Sequence, residues 1–203
     1  MRKKQPGRST HRTTRRKTAQ PKPLGREAWL VAARQALIEE GTAGVEINKL
    51  AKRLGVSRGG FYWFFKTRTE LLEALIRDWA DSGTTLFERI LERRGNEGMD
   101  QYQALSELWL DEKDYDPAWD GAVRDWARTS ESVRKIVSGV DQERIAIFEK
   151  MFHNMGYKGT EAHVRARVLY YHQVGYYALG VHESPQTRWA LMPFYRKILT
   201  GKE

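Results

Sequence analysis

The sequence predicts an all-α protein of about nine helices, opening with three short helices that include a helix-turn-helix. Three observations carry this. After residue 25, apolar residues recur at three- and four-residue intervals, the period of a helix face. No segment alternates apolar and polar residues between hairpin turns. Near residue 50, two short apolar-anchored stretches meet at a glycine, Gly55.

The elements follow in order. Residues 26–40 form a helix on Leu30, Ala33, Ala36 and Leu37, stopped by Gly41. A short helix over 47–54 lines up Ile47, Leu50, Ala51 and Leu54, and Gly55 ends it. Ser57 is a suitable N-cap for a third helix running to about Phe64. Thr67 and Glu70 have capping-box spacing, which opens a fourth, long helix at Arg68. It carries Leu71, Leu72, Leu75, Trp79, Leu86, Phe87 and Ile90 before Gly95. Further helices are predicted over 100–110, 117–128, 131–155, 160–182 and 185–199, with a break near Gly139 as an open alternative. Gly156 follows one of them, and Ser184-Pro185 is a cap with proline at the first helical position of another.

Length and composition bound the function. A chain of 203 residues can bury a real core without staples. With no cysteine it has no disulfide framework, zinc finger or iron–sulfur site. No stretch approaches the roughly 20 apolar residues of a membrane span, and the N-terminus lacks the apolar region of a secretory signal. Residues 2–22 are rich in Arg, Ser and Thr, as transit peptides are, but hold no Leu, Ile, Val, Phe or Trp from which to build an amphipathic helix. A cytoplasmic, nucleoid-associated protein is the expectation.

The net charge of +9 is concentrated on one arm. Arg2, Lys3, Lys4, Arg8, Arg12, Arg15, Arg16, Lys17 and Lys22 come with no acid, whereas the rest of the chain carries 26 basic and 26 acidic side chains. With three prolines and almost nothing apolar, residues 1–25 read as a disordered basic arm. Its charge suggests a polyanionic partner, with a solubilising tail as the plainer alternative.

The helix-turn-helix makes specific demands. A small residue is needed where the helices cross, and a glycine where the turn takes a positive φ. Ala51 and Gly55 supply these, four positions apart, and Leu50, Leu54, Val56, Phe61 and Phe64 supply apolar anchors. Ser57, Arg58, Gly59, Gly60, Tyr62 and Trp63 are left pointing outward. Two large aromatics on an exposed face are costly unless something covers them. Lys49, Lys52, Arg53, Arg58, Lys66 and Arg68 make the segment basic. The partner expected is double-stranded DNA; the bland reading is a helical pair with a solvated basic face.

Gly41, Leu50-Ala51, Gly55-Val56-Ser57, Phe61-Tyr62, Phe65 and Glu70-Leu71-Leu72 together resemble the N-terminal domain of TetR-family regulators, over about residues 26–75. Beyond it the likeness thins to Trp126-Ala127, Arg144 and Gly156. The resemblance implies a helix-turn-helix DNA-binding domain over 26–72 and a helical effector-binding and dimerisation domain over 73–203. It implies a repressor released from its operator by a small molecule; a TetR-like protein without an effector, acting in chromosome organisation or cell division, stays open. Tyr62 matches the family's phosphate-contacting tyrosine, and Arg68 stands where a phosphate-contacting lysine is common. Many members place Thr at the start of the second helix, where this chain has Glu46, which suits the helix dipole and not a phosphate. Gly59 and Gly60 leave few side chains for base readout, so Arg58, which can chelate guanine, and Trp63, which can pack on a thymine methyl, are the expected readers.

In the second domain, Trp109, Trp126, Phe148, Phe152, Tyr170 and His172 are candidates for lining an effector pocket, with ordinary core packing as the alternative. A homodimer is expected through the last two helices, by way of Ala166, Leu169, Gln173, Tyr176 and Gly180. No Gly-x-Ser-x-Gly, Walker loop, dinucleotide fingerprint or His-Glu-x-x-His is present, so neither an enzyme nor a cofactor is expected. His163 and His172 lie about 180° apart on one helix and cannot share a metal ion.

Overall fold

The computed structural model describes residues 25–93 and 97–202. The basic arm (apart from Gly25) and Gly95 lie outside the described residues. Eight α-helices and two 3₁₀ segments make up the rest, with no strand among the described residues. In chain order they are α1 (Arg26–Glu40), a 3₁₀ turn (Gly41–Gly44), α2 (Ile47–Leu54) and a 3₁₀ recognition segment (Arg58–Trp63). Then come α3 (Arg68–Arg93), α4 (Gly98–Asp111), α5 (Pro117–Thr129), α6 (Glu131–Asn154), α7 (Gly159–Ala178) and α8 (Pro185–Thr200).

The caps explain most boundaries. Gly55 takes the left-handed conformation (φ 68°, ψ 28°) that lets its N–H reach back to the Lys52 carbonyl at 3.2 Å, while the Val56 N–H reaches Ala51 at 3.0 Å. Thr67 Oγ1 accepts the Glu70 N–H at 3.1 Å, and the Glu70 carboxylate accepts the Lys66 N–H at 2.7 Å, a capping box displaced by one residue. Ser184 caps α8 through the Thr187 N–H at 3.1 Å. α6 passes through Gly139 without a break and ends just before Gly156.

Three expectations are corrected. The third element is 3₁₀ rather than α, and Ser57 makes no side-chain cap bond there. Two adjacent glycines remove helix propensity, and the segment is held by the burial of Phe61 and Phe65 and by short hydrogen bonds such as Phe64 N–H to the Phe61 carbonyl at 3.0 Å. α7 stops at Ala178 rather than 182, because Gly180 (φ 62°) turns the chain. The strip proposed for dimerisation is also on the wrong side. Ala166, Leu169 and Gln173 are buried inside the protomer. The opposite stripe of α7, with Val164, Val168 and Tyr171, is about half exposed, and Phe194 and Ile198 of α8 are 64% and 75% exposed. Sequence period alone gave two stripes and could not say which faced the protomer's own core.

Two apolar clusters fill the interior. One joins α1, α2, the recognition segment and the first half of α3 to Trp119, Val123 and Ala127 of α5 and Val133, Val137 and Val140 of α6. The other packs Phe87 against α4, α6, α7 and Leu199 of α8. α3 runs through position 72 without a break and takes part in both.

Where the clusters meet sits a buried ionic group. Asp120 Oδ1 accepts from Trp79 Nε1 at 3.1 Å and from Arg144 Nη1 at 3.0 Å, and its Oδ2 accepts from Arg124 Nε at 2.7 Å. Arg124 also donates to both oxygens of Asp141, at 3.2 and 2.9 Å, and to the Tyr170 hydroxyl at 2.9 Å. Burial opposes the charge on Arg144, but Tyr170 and Asp120 outweigh it and raise its pKa. Gly83, mid-helix in α3, makes room for it: a Cβ there would stand 2.1 Å from Arg144 Nη2. A mid-helix glycine costs about 1 kcal/mol against alanine. Here that cost lets a guanidinium lie against the helix backbone. Gly83→Ala is therefore expected to destabilise the fold by about 1–3 kcal/mol through overpacking, reversing the gain expected at an open helix site. Urea unfolding of the two proteins checks the sign.

Candidate nucleic-acid interface and effector cavity

The recognition segment is pinned from below by aromatic packing. Phe61 is fully buried, edge-on to Trp29 of α1 (5.3 Å between centroids) and stacked with Phe65 (5.5 Å). Sequence reading missed Trp29, although Trp29, Ala33 and Ala36 form one helical stripe, all buried. Leu50 is buried with Phe61, while Leu54, Val56 and Phe64 pack at the edge of the cluster. With Phe61 and Phe65 turned inward, Tyr62 and Trp63 between them face out. Ser57, Arg58 and Gly59 are exposed, Tyr62 is half exposed and Trp63 is 87% exposed. Gly60 is only partly exposed, lying against Trp29.

Charge on this face is sorted by partners from α1. Arg53 donates to Glu39 at 2.5 Å, and Lys49 donates to Glu40 at 3.0 Å and lies 3.6 Å from Glu46. Glu46 stands at the N-cap of α2 without a side-chain cap bond and pairs with Lys49 instead. Hydrogen bonds from Gln35 and Arg53 hold the Glu39 pKa below its ordinary value. Among the described residues, Lys52 and Lys66 have no ion-pair partner and are exposed. Arg58 Nη2 donates to the Tyr62 hydroxyl at 3.0 Å, with the guanidinium 5.8 Å from the Tyr62 ring.

Arg68 has a second task. Its Nε donates to the Val45 carbonyl at 2.7 Å and its Nη2 to the Thr42 carbonyl at 2.5 Å. It thus ties the start of α3 to the loop that leads into α2, satisfying two backbone acceptors at once. The helix-turn-helix meets the second domain through a further pair: Arg34 of α1 donates to Asp116 at 2.7 Å and lies over the Trp119 ring. Asp116 also caps α5 through the Trp119 N–H.

In the second domain a cavity of about 70 Å³ lies between α4, α7 and α8. Of the six residues expected to line a pocket, Trp109 and His172 border it. Phe148 and Phe152 are fully buried core. Tyr170 belongs to the Asp120–Arg124–Asp141 group, donating to Asp141 at 2.5 Å. Trp126 packs at the edge of the first cluster. Tyr102 and Tyr195, which also border the cavity, were not singled out from sequence, and Gln173, another lining residue, was assigned to the dimer strip instead. Their spacing could not separate cavity wall from core.

This arrangement defines a class: an all-α protein presenting a helix-turn-helix with a basic, aromatic outer face, joined to a helical bundle. Residues 30–75 match the family described as bacterial regulatory proteins, tetR family. Residues 30–75 thus form a domain similar to the one that defines that family. The chain is 28% identical over 140 residues to the HTH-type transcriptional regulator EthR of Mycolicibacterium smegmatis, covering 68% of this chain and 64% of that one. It is 42% identical over 52 residues to the tetracycline repressor protein class C of Escherichia coli, covering 26% and 24%. The matched stretches thus span less than two thirds of either relative. Among solved structures, Salmonella enterica GusR superposes with a TM-score of 0.67 at 21% identity, over 87% of this chain and 93% of that one, which extends the shared fold through the second domain.

Arg68→Ala should lower stability by about 1 kcal/mol, since a partly exposed charge-assisted pair of bonds is lost. Arg68→Lys should not restore it, because an ammonium cannot fork to both carbonyls. Thermal unfolding in the absence of any ligand separates this role from a phosphate contact.

Proposed function

We propose that the chain is a sequence-specific transcriptional repressor that binds double-stranded DNA as a homodimer and leaves its operator when a small molecule binds the second domain. The observation that carries the DNA reading is the exposure of Tyr62 and Trp63 on a rigidly anchored segment beside Arg58, Lys52 and Lys66. Its domains are taken as 26–72 for DNA and 73–203 for effector and dimer contacts. Arg58 and Trp63 read base edges in the major groove; Tyr62, Lys66 and the remaining donor of Arg68 hold phosphates, with the backbone at Ser57, Gly59 and Gly60 close to the duplex. The Arg58–Tyr62 bond keeps the reader folded against the phosphate-contacting tyrosine until DNA supplies a better acceptor. The basic arm, continuing from Gly25 at the start of α1, lies along the duplex outside the major groove.

Repression is the sign favoured, since one relative is named a repressor. No described helix is long and apolar enough to cross a membrane, and we place the protein in the cytoplasm on the nucleoid. The dimer forms on the outer face of α7 and α8, where Val164, Val168, Tyr171, Phe194 and Ile198 are large apolar residues left exposed, as at an interface.

Selection of bound sequences from a random DNA pool tests the reading. A two-fold-related pair of half-sites is the expected product, and failure to enrich any sequence would refute it. Arg58→Ala should relax one position per half-site at a cost of about 1–3 kcal/mol there, while Tyr62→Phe weakens all sequences about equally. For the dimer, Ile198→Glu should give a monomer by light scattering, whereas Ala166, already buried within the protomer, offers the partner nothing.

A further inference from the structure

The cavity between α4, α7 and α8 has a hydrogen-bonding surplus of one kind. Trp109 Nε1 is buried without an acceptor. The Gln173 side chain is 91% buried and borders the cavity, and it has no hydrogen-bond partner among the described residues. The half-buried His172 ring packs 4.8 Å from Tyr195 and likewise has no hydrogen-bond partner among the described residues. Burial lowers its pKa, which keeps the ring neutral near pH 7. A buried donor left unsatisfied costs about 1–3 kcal/mol, and the Trp109 N–H, with the unpartnered Gln173 and His172 side chains bordering the same cavity, calls for a ligand that answers it.

The charged residues at the same place already have hydrogen-bond partners. Glu183 accepts from the Tyr176 hydroxyl at 3.0 Å. Arg188 donates to Glu112 at 2.7 Å and to the Trp109 carbonyl at 2.6 Å. An anionic ligand would find no unpaired cation among the lining residues and would have to shed its water for nothing, and a cationic one would find only Glu183, whose carboxylate already accepts from a hydroxyl. The free groups are instead an indole N–H, an amide and a neutral imidazole. Tyr102 and Tyr195 supply ring faces, and Leu169 and Leu199 supply apolar wall. A volume of about 70 Å³ is several times the roughly 10–15 Å³ that one water needs, which suits a single ring.

We propose that this cavity binds a small, uncharged, single-ring compound bearing a hydroxyl or carbonyl oxygen, with the oxygen held by Trp109 Nε1 and Gln173 and the ring set between Tyr102 and Tyr195. As an effector site the assignment rests on the ligand-released repressor proposed above; as a binding site it rests on the cavity. Its regulatory reach follows from α7. The inner face of that helix, at Leu169 and Gln173, borders the cavity, and its outer face carries Val164, Val168 and Tyr171. A ligand that moves α7 therefore moves the proposed dimer face and with it the spacing of the two recognition segments.

Calorimetric titration of the full-length protein with p-cresol, acetophenone, toluene, benzoate and benzylamine tests the assignment. p-Cresol and acetophenone should bind, toluene about tenfold more weakly, and the two ions weaker still. Gln173→Leu should weaken p-cresol about tenfold at similar side-chain volume. Trp109→Phe, which removes the free N–H and keeps an aromatic ring, gives a second reading if Gln173→Leu fails to fold by circular dichroism. Benzoate or benzylamine binding as tightly as p-cresol would overturn the proposal. So would unchanged p-cresol binding in the folded variants, or no binding of either oxygenated probe at millimolar concentration. Operator release is measured separately by fluorescence anisotropy on the selected DNA. Binding of p-cresol without release upholds the cavity and refutes the effector reading; absence of binding with DNA still held refutes the cavity and leaves DNA recognition intact.

Discussion

The carboxylate of Asp120 is the interaction on which the arrangement of the two halves depends. It stands 93% buried and accepts from a tryptophan of α3, an arginine of its own helix and an arginine of α6. A buried charge is tolerable only when paired and hydrogen-bonded, so the three helices must keep the spacing that satisfies it. Trp79 and Arg144 sit at the meeting of the two apolar clusters, and Gly83 lets the guanidinium approach α3 where a side chain would block it. The result is a joint that is specific in geometry, where apolar packing alone would tolerate sliding.

That joint matters because α3 belongs to both halves. Its first turns brace the helix-turn-helix through Arg68 and the Thr67–Glu70 cap, and its later turns carry Trp79, Gly83 and Phe87. The Arg34–Asp116 pair adds a second link, from α1 directly to the cap of α5. α5 is thereby tied to the helix-turn-helix at two places, through α1 and through α3.

The outer face of the recognition segment shows how packing decides chemistry. Burying Phe61 and Phe65 against Trp29 leaves Tyr62 and Trp63 outside, so anchoring and display come from one short run of residues. The same tertiary contact edits the charge. Glu39 and Glu40 reach across from α1 to Arg53 and Lys49, leaving the positive potential to Lys52, Arg58 and Lys66.

What the sequence by itself determined was local in origin. Most helix spans, though not the end of α7 or the 3₁₀ form of the third element, and with them the Gly55 turn, the Thr67–Glu70 cap and the Ser184-Pro185 start, follow from dihedral preference and neighbouring hydrogen bonds, which a few consecutive residues set. The outward-facing set of the recognition segment was legible because it is the remainder after the anchors of one short element are removed. The tertiary structure decided whatever depends on which helix lies opposite. It chose between the two apolar stripes of α7, sending Ala166 and Leu169 inward and Val164 and Val168 outward. It made Phe148 and Phe152 core and Tyr170 part of an ionic group, and it assembled the cavity from Trp109, His172 and Gln173 on two helices. Periodicity gives a helix its faces, but the neighbour each face meets is fixed only when non-local burial and pairing are satisfied together.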